Sequence, residues 1–210
     1  MIIIPPHLNC RKKVSYSNGN CELLITECPE IEASLINIYR PPHPNNSLKH
    51  FNEIIEKTRL YLLERNNTLP SYKTVLAGDF NFPHSIVEWC NSDEGIIPVP
   101  SPGNQEDKLA FQLLNDLTSE FDLTQRVGVP TRDNAILDLI FLDSGIQTSV
   151  CTSTPIPSYS DHNLLHLQFQ VPSALSNQFS PDLSSLSTIT RLDFSKANKA
   201  KLLSVLNRID

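Results

Sequence analysis

The apolar run Val75-Leu-Ala77 has the character of a buried strand, and it stops abruptly at Gly78-Asp-Phe-Asn81, so two polar side chains stand where the strand has just ended. A chain with this feature needs a sheet whose strand opens straight into a loop. Asp and Asn at such a point have two readings. One is a turn, because their short side chains bond the local backbone and tolerate unusual dihedrals. The other is chemistry, because open α/β sheets carry their working residues at the carboxyl ends of strands, in loops held over a crevice. The stretch alone leaves both open.

The surrounding chain supplies the sheet. Cys21-Glu-Leu-Leu-Ile-Thr-Glu27 and Ala33-Ser-Leu-Ile-Asn-Ile-Tyr39 are strand-like runs separated by a short segment with Pro29, the pattern of a hairpin or of sheet neighbours. Arg40-Pro-Pro-His-Pro44 then breaks regular structure, and Asn45-Asn-Ser47 offers caps to an amphipathic helix with Leu48, Phe51, Ile55 and Leu62 on one face, ending near Asn66-Asn67. Tyr72 to Ala77 is the next strand, followed by a Pro- and Gly-containing excursion from Phe82 to Asn104. A second helix is predicted from Glu106 to Ser119, burying Ala110, Leu113, Leu114 and Leu117, and strands from Ile136 to Leu142, Gln147 to Cys151 and Leu164 to Val171. Strands and helices alternate, so the class is α/β or α+β.

After Val171 the texture changes. Pro172 to Thr190 has the Ser-, Thr- and Pro-rich composition of a linker, and Ser195 to Ile209 reads as a helix with Leu202, Leu203, Leu206 and Ile209 on one side. The organisation expected is a folded unit over 1–171, a linker over 172–190 and a helical segment over 191–210 that docks on something outside it.

At 210 residues, 40% hydrophobic and 19% charged, the chain can bury one good core. No apolar run has bilayer length, and Met1-Ile-Ile-Ile-Pro-Pro lacks the basic start and long apolar core of a signal peptide, so no membrane partner and an intracellular location are expected. Five cysteines, odd in number and without a CxxC pair, point to reduced, mostly structural thiols rather than a disulfide framework or a zinc knuckle. The net charge of −6 weighs against a protein that holds phosphate backbones by a basic face alone. A nuclease is not excluded, because its carboxylates work with cations that offset them.

Four other segments repeat the feature of the first. Tyr39 closes a strand, Thr131 follows Val129-Pro130, Asp138 interrupts Ile136-Leu-Asp-Leu-Ile-Phe141, and Ser160-Asp-His-Asn163 precedes the last strand. If these strands are neighbours, the loops open on one rim. Arg40, Arg126 and Arg132 flank it and read equally as contacts to DNA phosphates or as solvated charge. His7, His43, His50, His84 and His166 show no ligand spacing.

Gly78-Asp-Phe-Asn81 with Pro83, Ile86 and Trp89 resembles the signature of the endonuclease/exonuclease/phosphatase family, and within it the apurinic-endonuclease-like domains of non-LTR retrotransposons. Ile38-Tyr-Arg-Pro-Pro42, Leu123-Thr-Gln125 with Val129-Pro-Thr-Arg132, Leu137-Asp-Leu-Ile140 and Tyr159-Ser-Asp-His162 resemble the same domains in the same order. The tail from Leu192-Asp-Phe to Asn207-Arg-Ile-Asp210 resembles the segment that joins such a nuclease to its reverse transcriptase.

The resemblance implies a DNase I-like fold, a four-layer α/β sandwich of two facing mixed sheets flanked by helices. It implies a nuclear endonuclease, dependent on Mg2+ (or Mn2+), that nicks DNA to prime reverse transcription, with a reverse transcriptase domain in the full-length relative. By the same resemblance Asp79 is the base or water-orienting carboxylate, Asn81 holds it and a phosphate oxygen, and His162 donates to the phosphate with Asp138 fixing its tautomer. Tyr39 and Thr131 bind phosphate oxygens, and Asp161 contributes to the metal site.

The front of the chain departs from the family pattern, which has a strand bearing an Asn and later a Gln-Glu pair supplying the chief metal ligand. Neither occurs before Tyr39, where Glu22, Glu27, Glu30 and Glu32 stand in other contexts. Residues 1–171 therefore resemble the carboxyl-terminal part of such a domain, expected to be poorly soluble and to nick little by itself. Two other functions stay open: a phosphatase or phosphodiesterase acting on a small phosphorylated substrate, and an inactive remnant that binds nucleic acid or a partner.

Overall fold

Period-two alternation sets the frame. Leu23 and Ile25 face Ile38 and Ile36 across an antiparallel pair formed by β2 (Cys21–Cys28) and β3 (Ala33–Tyr39), joined by a single 3-10 turn at Pro29–Ile31. The computed structural model describes residues 9–19, 21–42, 47–92, 95–155 and 160–169, so the expected linker and terminal helix lie outside the described residues.

A six-stranded mixed sheet runs in the order β1-β2-β3-β4-β8-β7, where β1 is Arg11–Asn18, β4 Lys73–Asp79, β7 Leu123–Gln125 and β8 Asp138–Asp143. Among the described residues only β3 and β4 pair in parallel, and α1 (Leu48–Thr68) makes the crossover between them. The Ser47 hydroxyl accepts from the His50 amide at its start, as the caps in the sequence suggested. The second helix, α2 (Gln105–Glu120), starts where the Asn104 side chain accepts from the Asp107 amide at 2.8 Å. Phe51, Ile54, Ile55 and Leu62 of α1, with Ala110, Leu114 and Leu117 of α2, join Leu23, Ile25, Ile36, Ile38, Leu76 and Phe141 in the larger core.

The opposite face of the same strands carries a smaller core of Cys28, Ala33, Leu35, Val75 and Leu142, against which Ile146, Leu167 and Phe169 pack. The second layer expected from the resemblance is represented among the described residues by a two-stranded pair, β9 (Thr152–Thr154) with β10 (Leu164–His166). No helix among the described residues is long and apolar enough to cross a membrane.

Several expectations need correction. β1 was not read as a strand, because Arg11-Lys-Lys13 hides it; these exposed charges suit an edge strand, where they discourage pairing with other chains. The excursion after Phe82 contains a hairpin, β5 (Val87–Ser92) with β6 (Gly95–Pro100). The strand expected at Gln147 to Cys151 forms instead at Thr152–Thr154, opposite Leu164–His166, while Val150 stands 83% exposed. A strand lies where its partner is, which propensity does not reveal.

The cysteines were expected to be reduced, yet Cys10 and Cys28 are bonded. The cause is register: Arg11 pairs with Glu27, which places Cys10 across from Cys28 with their Cα atoms 4.3 Å apart. Cys21, Cys90 and Cys151 are free.

Candidate active site

The Gly-Asp-Phe-Asn stretch is explained residue by residue. A Cβ on Gly78 would lie 1.8 Å from the carbonyl oxygen of Ile38, so only glycine lets β4 approach β3 this closely. Asp79 closes β4, and Phe80 is fully buried, with its amide donating to the Leu137 carbonyl at 2.9 Å. Asn81 turns the chain in the left-handed region at φ 49°, which asparagine tolerates better than most residues, and its side-chain amide donates to the Arg40 carbonyl at 2.8 Å.

Register then assembles a row. Glu22 lies opposite Tyr39, Tyr39 beside Asp79, and Asp79 opposite Asp138. Side chains of directly paired residues share a face, here the one that bears the smaller core. His162, from the turn before β10, closes on the end of this row. Its Nδ1 is 2.7 Å from Asp138 Oδ2, and its Nε2 is 3.9 Å from Asp79 Oδ2. With Nδ1–H donating to Asp138, the other ring nitrogen is turned toward Asp79.

The electrostatics follow from this crowding. The hydrogen bond to Asp138 raises the pKa of His162, with support from the charges of Asp138, Asp79 and Asp161 and with burial opposing. Burial pushes the Asp79 carboxyl up to about 6, helped by the neighbouring charge of Asp138 and offset in part by His162 and Asn81. Burial also raises the Tyr39 hydroxyl, and the charges of Asp79 and Glu22 add to it.

The residues singled out in the sequence divide into two groups. Asp79, Asn81, Asp138, His162 and Tyr39 come together at the carboxyl ends of β3 and β4 and the start of β8. Thr131 is fully buried, and its hydroxyl accepts from the amides of Leu137 and Asp138 at 3.0 and 3.1 Å, so it anchors the start of β8 rather than facing the rim where a phosphate would lie. Asp161 points outward and pairs with Arg132 at 3.1 Å, outside the cluster.

The arginines also part company. Arg126 donates to the carbonyls of Ser144 and Ile146, and Arg40 is buried at 2% exposure, so neither is displayed as a contact for DNA phosphates. Arg40 looks like a surface cation in sequence because it follows a strand and precedes two prolines; nothing local shows that Phe51, Phe82 and Asp107 close over it.

Glu22 is the residue that motif reasoning passed over. Of the four glutamates before Tyr39, Glu27 is buried against the Tyr61 hydroxyl and Lys13, Glu30 accepts from the Asn9 amide and Glu32 from Ser71, while Glu22 shares the row of the site. Its place follows from the hairpin register, in which Cys28 faces Ala33 and Glu22 therefore faces Tyr39, and alternation along the chain alone does not reveal it.

Oxygens of Asp79 and Asp138 and a ring nitrogen of His162 lie within 4.8 Å of one another. Asp79 Oδ1 is buried without a hydrogen-bond partner, and two carboxylates face each other there. A divalent cation suits this excess of negative oxygen donors, so the site fits a metal ion.

Residues 33–166 match the endonuclease/exonuclease/phosphatase profile described as endonuclease-reverse transcriptase. No curated protein matches the chain. Among solved structures it is similar to a mannosyl-6-phosphatase of Bacteroides thetaiotaomicron, at 12% identity and TM-score 0.42 over 71% of this chain and 56% of that one. It is also similar to an endonuclease/exonuclease/phosphatase family protein of Bacteroides thetaiotaomicron, at 13% identity and TM-score 0.43 over 71% and 53%. A third, from Bacteroides vulgatus, stands at 14% identity and TM-score 0.43 over 72% and 55%. The chain spans little more than half the length of each.

Proposed function

The chain belongs to the endonuclease-reverse transcriptase family of α/β endonuclease/exonuclease/phosphatase proteins, whose members are nucleases or phosphatases, and on that premise we propose that it is the DNA-nicking domain of a retroelement. Its reaction is hydrolysis of a DNA phosphodiester in the presence of Mg2+ (or Mn2+), and the nick primes a reverse transcriptase domain of the full-length relative. Acting on chromosomal DNA, it would work in the nucleus.

The observation that supports this most is the Asp79–His162–Asp138 arrangement. The Asp79 carboxylate stands at the end of the row with Oδ2 3.9 Å from His162 Nε2, which suits a base that takes a proton from the attacking water. Water oxygen bonds to phosphorus as the bond to the leaving oxygen breaks, and the proton passes to Asp79. His162, whose protonated form the bond to Asp138 favours, donates to the phosphate as charge grows on it. Asn81 holds Asp79, and the Tyr39 hydroxyl binds a phosphate oxygen at the edge of the same row. A divalent cation held by Asp79 and Asp138 would supply charge neutralisation at the phosphate, and Asp161 would join it only after leaving Arg132.

The test is conversion of supercoiled plasmid to nicked circles by the chain, alone and joined to the upstream segment of a complete family member, with Mg2+ and with chelator. Cation-dependent nicking that disappears in Asp79→Asn supports the reading. Failure of both forms to nick, or hydrolysis of small phosphomonoesters only, overturns it.

A further inference from the structure

We propose that Arg40 is a positioning residue for this site, acting through a buried clamp closed on Asp107; the proposal rests on the hydrolase reading above. Arg40 follows Tyr39 and turns inward, away from the row. Its guanidinium lies over the ring of Phe82 at 4.7 Å and near that of Phe51 at 5.7 Å. One arm donates to the carbonyls of Phe80 and Asn81 at 3.1 and 3.3 Å, and the other meets the carboxylate of Asp107 in the first turn of α2.

The contact is reciprocal. Asn81 returns a hydrogen bond from its side chain to the Arg40 carbonyl at 2.8 Å, and the Arg40 amide donates to the Asp79 carbonyl at 2.9 Å. Arg40 thus holds the backbone on both sides of the left-handed turn that presents Asp79 and Asn81.

This geometry asks for arginine. Two carbonyls and a carboxylate lie around one planar fork, and a lysine offers a single point charge in its place. Asp107 itself is fixed by its amide on Asn104, the residue that caps α2. The clamp therefore references the turn to the end of a helix, and the helix carries the larger core. A shift of the turn by a fraction of an ångström would move Asp79 relative to His162 without touching either.

The test compares the unmodified chain with the double variant Arg40→Met/Asp107→Leu, which removes both buried charges together and so preserves packing. In whichever form of the protein nicks DNA, kcat should fall about 10- to 100-fold with KM changed less than about threefold, as expected when orientation is lost and binding is kept. Independently, the backbone carbon shifts of Asn81 in NMR spectra of the folded variant should lose their left-handed signature.

A double variant that folds, keeps that signature and turns over normally would make Arg40 a plain core strut. If the double variant does not fold, Arg40→Lys takes its place and must show the same two losses in smaller degree. Should neither form of the protein cut DNA, the nicking reading fails by itself, while the Asn81 signature still decides for or against the clamp.

Discussion

Arg40–Asp107 and Arg132–Asp161 are the same chemical pair on two sides of one site, and water is what separates them. The first is 2% exposed at both ends; the second is 40% and 68% exposed. In the interior each charge has lost its hydration and depends on its partner, so the pair constrains geometry strongly while adding little net stability over an apolar equivalent. At the rim each charge keeps its water, and the pair can open at almost no cost. His162–Asp138 stands between them, with 21% and 25% exposure. One pair holds the scaffold, one shifts a histidine's proton affinity, and one opens to water at almost no cost.

The largest expected effect tests the buried end of this series. Asp107→Ala leaves the Arg40 guanidinium without its carboxylate and should lower stability by about 3–5 kcal/mol in urea unfolding, the usual cost of breaking a buried pair. A loss below about 1 kcal/mol would mean that water reaches Arg40 and that the two arginines do not differ in kind.

Next comes Asp79→Asn. Under the function proposed above, in which the charge acts in the transition state, nicking should be abolished with DNA affinity retained. The same change should stabilise the fold near neutral pH. Asp79 titrates at about 6 in the fold against 3.8 as an isolated group, so the folded chain binds more protons between those values, and stability is lost as pH rises from about 4 to about 6. Urea midpoints across that window should slope downward in the unmodified chain and flatten in Asp79→Asn. Equal slopes would show that Asp79 is not buried as described.

Asp138→Asn probes the intermediate pair. A histidine whose pKa is raised by folding contributes stability that is fully present below its unfolded value and lost as pH rises through the folded one. Removing the Asp138 charge should lower the midpoint of His162 in an NMR titration and move this loss to lower pH. An unchanged midpoint would detach the two residues.

The smallest effect belongs to Arg132→Ala, expected to change stability by less than about 0.5 kcal/mol, and by nothing measurable at high salt. A larger loss would move this pair toward the buried class.

How much of this was legible in the sequence depends on the range of the forces involved. The strands β2, β3 and β4 and both helices follow from local periodicity and caps, and they appear nearly where the residues place them. Asp79, Asp138 and His162 were marked as a set by the order of the motifs. β1 was hidden by its charges, the β5–β6 hairpin by its prolines, and the short β9 by the absence of any local preference for its position. Those elements depend on what lies opposite them.

Arg40 carries the same lesson to a single residue. In the sequence Tyr39-Arg-Pro-Pro42 and Pro130-Thr-Arg132 offer comparable cations beside comparable prolines. Side-chain chemistry, and therefore which groups can titrate, accept a proton or bind a cation, is written in the chain and needs no fold. Burial is a property of neighbours. The crossover α1 brings Phe51 beneath Arg40, and α2 brings Asp107, from far along the chain, so desolvation and the shifts it causes at Asp79 exist only once the sheet has closed. Sequence determined which carboxylates, imidazole and guanidinium this protein has to work with. The tertiary structure alone decided which of them face water, because solvent is excluded by packing between segments that no local pattern connects.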